Sequence, residues 1–241
     1  MDLSQLQPRT PIFSAFSHGI AILTGLAALY MVLYTPEFYL ERFVAKDSAT
    51  GTGIAEHLTW IILIPGILAG FYALLRYPKH LMGRPGLWLF AWTAACIYFA
   101  GEEASWGQWY FLWETPEAFQ QINDQQETNL HNTSSWLDQK PRLAVEIWIF
   151  LGGFIWPLLR YLGLRPMRNA NDYRYWIAAP QACFSAALLF TLVRISDWIP
   201  NDSVLLFANS EFRELTIALF LTLFLCSFAV RLRRLPSSHA I

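Results

Sequence analysis

LTWIILIPGILAGFYALL (Leu58–Leu75) carries no charged residue and no alternation of polar with apolar positions, so a helix built from it is apolar on every face. In water such a helix needs a large core around it. A hydrocarbon layer of about 30 Å takes about 20 such residues end to end. Similar blocks recur along the chain: Ile12–Tyr34, Leu87 to about Gln108, Leu143–Leu162, Trp176–Ile195 and Glu211–Val230. The recurrence predicts an all-α fold, a polytopic transmembrane bundle of about six spans (12–34, 58–75, 87–108, 143–162, 176–195, 211–230), with residues 1–241 as one membrane domain. Pro65, Pro157 and Pro180 fall inside these helices, where neighbours can satisfy the backbone groups that proline frees. Gly66-x-x-x-Gly70 has the spacing of a close helix contact. The first block is longer than a signal-peptide core of about 7–15 residues, so it is expected to remain as a span.

Composition agrees. Of 241 residues, 55% are apolar and only 15% charged, against roughly a quarter charged in soluble domains. A net charge of −1 argues against a nucleic-acid partner. Cys96, Cys183 and Cys226 all lie in apolar blocks and read as small core residues. His18, inside the first block, reads as a neutral, hydrogen-bonded packing residue.

Charge is distributed unevenly along this map. Eleven of the 17 basic residues fall on short segments of one side, which predicts that both termini are cytoplasmic; the membrane is expected to be a bacterial inner membrane. Sixteen of the 18 acids fall on the other side, an asymmetry the basic-residue rule does not require. On that outer side, Thr35-Pro36-Glu37 and Thr115-Pro116-Glu117 look like helix starts, with threonine able to cap and proline suited to the first turn. Short interfacial helices are expected there, beside an aromatic belt of Trp106, Trp109, Tyr110 and Trp113.

Two polar motifs carry the candidate chemistry. In Gly101-Glu102-Glu103-Ala104-Ser105-Trp106-Gly107-Gln108, which is read as continuing the third helix unbroken, the two carboxylates lie roughly 5–8 Å below the outer boundary. A carboxylate at that depth marks a functional site by default. In Gln125-Gln126-Glu127-Thr128-Asn129-Leu130-His131-Asn132, a helical reading puts Glu127 and His131 on one face at i, i+4, a spacing that suits two metal ligands or a carboxylate-oriented imidazole. Catalytic roles are assigned to Glu102 and Glu103, and metal ligation to Glu103, Glu127, His131 and His57. Glu56, Gln108, Asn129, Asp197, Glu211 and Glu214 complete the expected polar site. For acids that open helices, such as Glu56, Glu211 and Glu214, the simpler reading is a match to the helix dipole. For Glu102 and Glu103 it is buried hydrogen bonds or a salt bridge to Arg194 or Arg213.

These two motifs resemble a pattern in an uncharacterised family of multi-pass bacterial membrane proteins, with weaker shared stretches at Gly53–Thr59 and Glu211–Leu215. The resemblance implies a shared site and carries no reaction with it. The chain departs from two characterised families. In CAAX-type intramembrane proteases an arginine stands where this sequence has Gly107, and no second matching histidine motif is present. Ceramidase-like membrane hydrolases need three histidines at zinc, whereas only His57 and His131 are expected on the outer side.

Two functions remain open at this point. One is a hydrolase or transferase in which a divalent metal (Zn, Mn or Fe) acts on a lipid or lipid-linked substrate. In a metal-free form of it, the glutamate pair shares a proton as an acid/base dyad. The other is a non-catalytic site that binds a protein partner, an ion or a lipid headgroup for assembly, sensing or transport.

Overall fold

The computed structural model describes residues 10–44, 53–76, 83–123, 128–130, 133–164, 172–197 and 209–234. Among them every regular element is helical and no strand occurs. Helix α1 spans Pro11–Tyr34; α2, Pro36–Phe38, runs on as a wider turn over Tyr39–Phe43; α3 is Ile54–Arg76; α4 is Gly83–Glu103. Short helices α5 (Gln108–Phe111) and α6 (Glu117–Gln120) follow. Helix α7 (Ser135–Trp148) passes through a π-helical stretch, Ile149–Ile155, into α8 (Trp156–Tyr161). The remaining helices are α9 (Tyr173–Ile177), α10 (Phe184–Ser196) and α11 (Ser210–Leu232).

Five stretches are long and apolar enough to cross a membrane: Pro11–Tyr34, Ile54–Arg76, Gln139–Tyr161, Tyr173–Ser196 and Ser210–Leu232. Helix α4 is 21 residues long but is not among them, because its tryptophans, glycines and terminal glutamates lower its hydropathy. Ile12, Leu23, Leu33, Leu68 and Leu75 are all more than half exposed, which hydrocarbon accommodates and water does not.

Helix α11 is the axis. In its most apolar window 89% of residues are buried, as expected of a helix apolar on all faces. Phe220 and Phe224 pack on Trp148, which stacks on Trp92 at 4.3 Å and so ties α4 to the α7–α8 rod. Both glycines of the Gly66/Gly70 pair mark close contacts, against different partners. A Cβ on Gly66 would lie 2.8 Å from Thr222 Cα of α11, while one on Gly70 would collide with the Thr93 side chain of α4. The Thr222 hydroxyl donates to the Ile62 carbonyl at 2.7 Å, one turn before Pro65 inside α3. Gly70→Val is therefore expected to cost about 2 kcal/mol by overpacking. Gly19→Ala, where nothing lies within 4 Å, should cost nothing. Thermal unfolding of both variants in mild detergent checks this, and equal midpoints would refute the close contact.

Two expected helices are broken. The fifth is interrupted at Ala178–Pro180, where the backbone turns extended. Arginines satisfy carbonyls at this break: Arg160 donates to Ala179 O and Arg231 to Tyr175 O, each at 2.7 Å. Arg231 is 5% exposed and lies over the rings of Tyr175, Trp176 and Phe228. The third helix does not run unbroken to Gln108 but ends at Glu103. The two expected threonine caps are also not formed. Thr35 makes no capping bond to α2, and Pro116 rather than Thr115 precedes α6. The three cysteines are free, with Cys96 and Cys183 buried as expected. His18 Nδ1 meets Ser185 Oγ at 2.7 Å, the hydrogen-bonded packing role read from the sequence.

Candidate functional site

After Glu103 the backbone makes a tight left-handed turn, with φ of 43° at Ser105, 54° at Trp106 and 99° at Gly107. Glycine takes such a conformation freely, whereas Ser105 and Trp106 each need neighbours to hold them there. The sequence provides those neighbours. The Trp106 ring folds back over Gly101, where a Cβ would come within 2.8 Å of it, and the indole N–H donates to Glu102 Oε1 at 2.7 Å. Asn129 Nδ2 donates to Ser105 Oγ at 3.3 Å, and the Leu130 N–H donates to Glu102 Oε2 at 2.7 Å. Gln108 accepts the Thr128 N–H and donates to Thr115 Oγ1, both at 2.6 Å. Asn123 holds Asn129 in turn, at 2.9 Å to its carbonyl and 2.8 Å to its side chain.

The two sequence motifs thus meet, and residues 128–130 lie across the end of α4. Both Glu102 oxygens accept hydrogen bonds from protein N–H groups. That is the environment of an anchoring carboxylate.

Glu103 belongs to a different group. It is 6% exposed and meets Glu211 and Glu214 from the first turns of α11, with one oxygen of each residue within 4.8 Å of the others. Asn209 caps α11, its side chain accepting the Glu211 N–H at 2.8 Å, which fixes the direction in which the two acids leave the helix. Arg142 of α7 donates to Glu214 Oε1 at 2.7 Å. Two carboxylates 4–5 Å apart repel by about 3–4 kcal/mol at an effective dielectric constant of about 20, so such a trio favours nearby positive charge, of which Arg142 supplies one.

A cleft of about 130 Å³ opens beside this trio, between α4, α7 and α11. Glu102, Glu103, Arg142 and Glu214 line its polar end, and Ala95, Phe99, Val145, Ile217 and Leu221 line the rest. Arg142 had no place in the sequence reading. The signal was its i, i+4 spacing to Glu146 at the polar start of α7.

A second charged cluster closes the same end of the bundle. Arg194 reaches Glu146 at 3.2 Å and Asp197 at 2.9 Å, while Arg213 reaches Glu146 at 3.4 Å and Asp197 at 2.5 Å. The guanidinium groups suggested as partners for the glutamate pair thus bind Glu146 and Asp197, two charges against two.

His57, expected as a metal ligand, meets the Tyr110 hydroxyl at 2.5 Å, and Trp60 donates to that hydroxyl at 2.9 Å. Burial pushes the Tyr110 phenol above its usual range, with the nearby Glu56 charge adding to the effect and the Trp60 bond opposing it. Glu56 is buried at 9% exposure. Among the described residues the one group of acids, histidines and cysteines with metal-like spacing is Glu103, Glu211 and Glu214, without His57. Glu127 and His131 lie outside the described residues.

Comparison with protein-family models, with curated proteins and with solved structures returned no match to this chain, so its site is read from its own residues.

Proposed function

We propose that this chain is a multi-pass membrane protein, crossing about six times with α4 as the additional span and with both termini in the cytoplasm. On this reading its site faces the outer side of a bacterial inner membrane. There a divalent cation on Glu103, Glu211 and Glu214 serves hydrolysis or transfer on a lipid or lipid-linked substrate. The observation that carries the reading is the cleft itself: carboxylates converge at one end and apolar side chains line the rest, as an amphiphile requires. A cation there would polarise a carbonyl or phosphoryl oxygen and lower the pKa of bound water. An oxygen-only donor set suits Mn, or Mg, better than Zn; an imidazole from His131 would shift the preference toward Zn or Fe. Glu102 serves as the anchor of the covering segment, and Glu103 as ligand or general base.

Elemental mass spectrometry of protein purified in mild detergent without chelator tests this. About one divalent ion per chain is expected, and Glu103→Gln should lose it while keeping the wild-type helical signal. His131→Ala reports whether the imidazole takes part. A metal-free wild type would overturn the metal reading. It would then favour a non-catalytic site for a partner protein, ion or headgroup, with Phe111 and Leu112, 78% and 81% exposed, as part of its contact surface.

A further inference from the structure

Resting on that metal reading, we infer that the cleft takes a phosphate-bearing lipid, its phosphate between the carboxylate-held cation and Arg142 and its chain along α11 between α4 and α7. Among the described residues Arg142 is the one basic side chain lining the cleft, and it sits at the same end as Glu103 and Glu214. An arginine beside a cation is a common clamp for phosphoryl oxygens, because the guanidinium fork matches their geometry and remains charged. Farther along the same helices the cleft is lined by Val145, Ile217 and Leu221, which offer no charged group to a second headgroup.

The route in follows from the packing. Helices α4 and α7 meet where Trp88 and Trp92 pack on Trp148. Toward the glutamates the cleft lies between them, with α11 as its floor. Leu143, Ile147 and Ile97, on the same two helices, are 42%, 49% and 38% exposed. An apolar chain can therefore enter sideways from the hydrocarbon layer without crossing water.

Charge sets the condition for binding. Without a cation, Glu102, Glu103 and Glu214 outnumber Arg142 and repel phosphate. A divalent cation on the trio offsets two of these charges and gives a phosphoryl oxygen a cation to bind beside Arg142. The inference thus predicts metal-dependent phosphate binding. An alkylammonium lipid would show the opposite dependence.

The test uses the full chain in mild detergent, loaded with Mn²⁺ or treated with chelator, and reads ligand adducts by native mass spectrometry. The probes are short-chain phosphatidic acid, diacylglycerol of the same chain length, inorganic phosphate and an alkylammonium of similar length. Phosphatidic acid is expected to bind only the Mn²⁺-loaded protein, and at least about tenfold more tightly than the other three. Arg142→Gln should weaken it by about 10–100-fold per metal-loaded chain, the range for a charge-assisted hydrogen bond, with Arg142→Lys intermediate. Val145→Trp should block the lipid and leave the metal in place. Inorganic phosphate binding as tightly as the lipid would overturn the chain-binding half. Preferred binding of alkylammonium to the chelated protein would overturn the phosphate half. Metal present with no phosphatidic acid bound would reject this inference alone, whereas absence of metal would reject the reading beneath it as well.

Discussion

Arg213→Met is expected to lower the stability of the folded protein by about 3–5 kcal/mol, the range for removing one partner from a buried ion pair. Arg213 and its partners Glu146 and Asp197 have side chains only 13%, 9% and 15% exposed. With Arg213 gone, two buried carboxylates share Arg194 alone, and one negative charge at the junction of α7, α10 and α11 goes unmatched. Methionine keeps most of the side chain's volume, so the loss reads charge rather than a cavity. Pairing the change with Asp197→Asn should recover part of the loss, because the cluster is then neutral again. Equilibrium unfolding of the single and double variants in detergent measures both. A loss under about 1 kcal/mol would mean that solvent reaches the cluster and screens it like a surface pair.

The second large effect is expected at Glu102. Alanine there removes the acceptor for the Trp106 indole and the Leu130 N–H together. A donor left buried without a partner costs about 1–3 kcal/mol; Trp106 and Leu130 are 46% and 42% exposed, so water offsets part of this and a total of about 2–4 kcal/mol follows. The left-handed turn at Ser105 and Trp106 also loses the bond that stabilises it, and residues 128–130 lose their attachment to α4. Hydrogen exchange at the Leu130 amide should rise by orders of magnitude in Glu102→Ala. In Glu102→Gln it should rise less, since one side-chain oxygen remains to accept. If exchange at Leu130 is unchanged in both, the segment is held by Gln108 and Asn123 rather than by Glu102.

Much of the fold was legible because it rests on a one-dimensional signal. A run of apolar residues about the thickness of a hydrocarbon layer needs no long-range information, and five such stretches stand in the structure. Gly66 and Gly70 were also readable, since close approach needs only the absence of a side chain. Helix ends were less so. Glu103 ends α4 because Trp106 closes back on Gly101 and Glu102, a contact that looks in the sequence like further helix. Likewise, Ala178–Pro180 breaks the fifth apolar stretch because Arg160 and Arg231, from α8 and α11, meet carbonyls at the break.

At the site, Glu103, Glu211 and Glu214 were each flagged singly. That they form one group depends on how α4 and α11 pack, which no spacing along the chain encodes. His57 and Glu103 were placed together by their common side of the membrane alone. Position around the bundle separates them, and His57 meets Tyr110 instead.

Helix α11 follows in the chain all the helices that pack around it. During synthesis, the long apolar helices before it are made before the element they pack around exists. Trp92, Trp148 and Phe190, which end in the core, must until then face lipid or one another. Nor can Glu103 meet its carboxylate neighbours before α11 leaves the ribosome. Assembly of this bundle is therefore a closing event late in translation, and an arrest that withholds α11 would strand an inserted chain with no centre and no site.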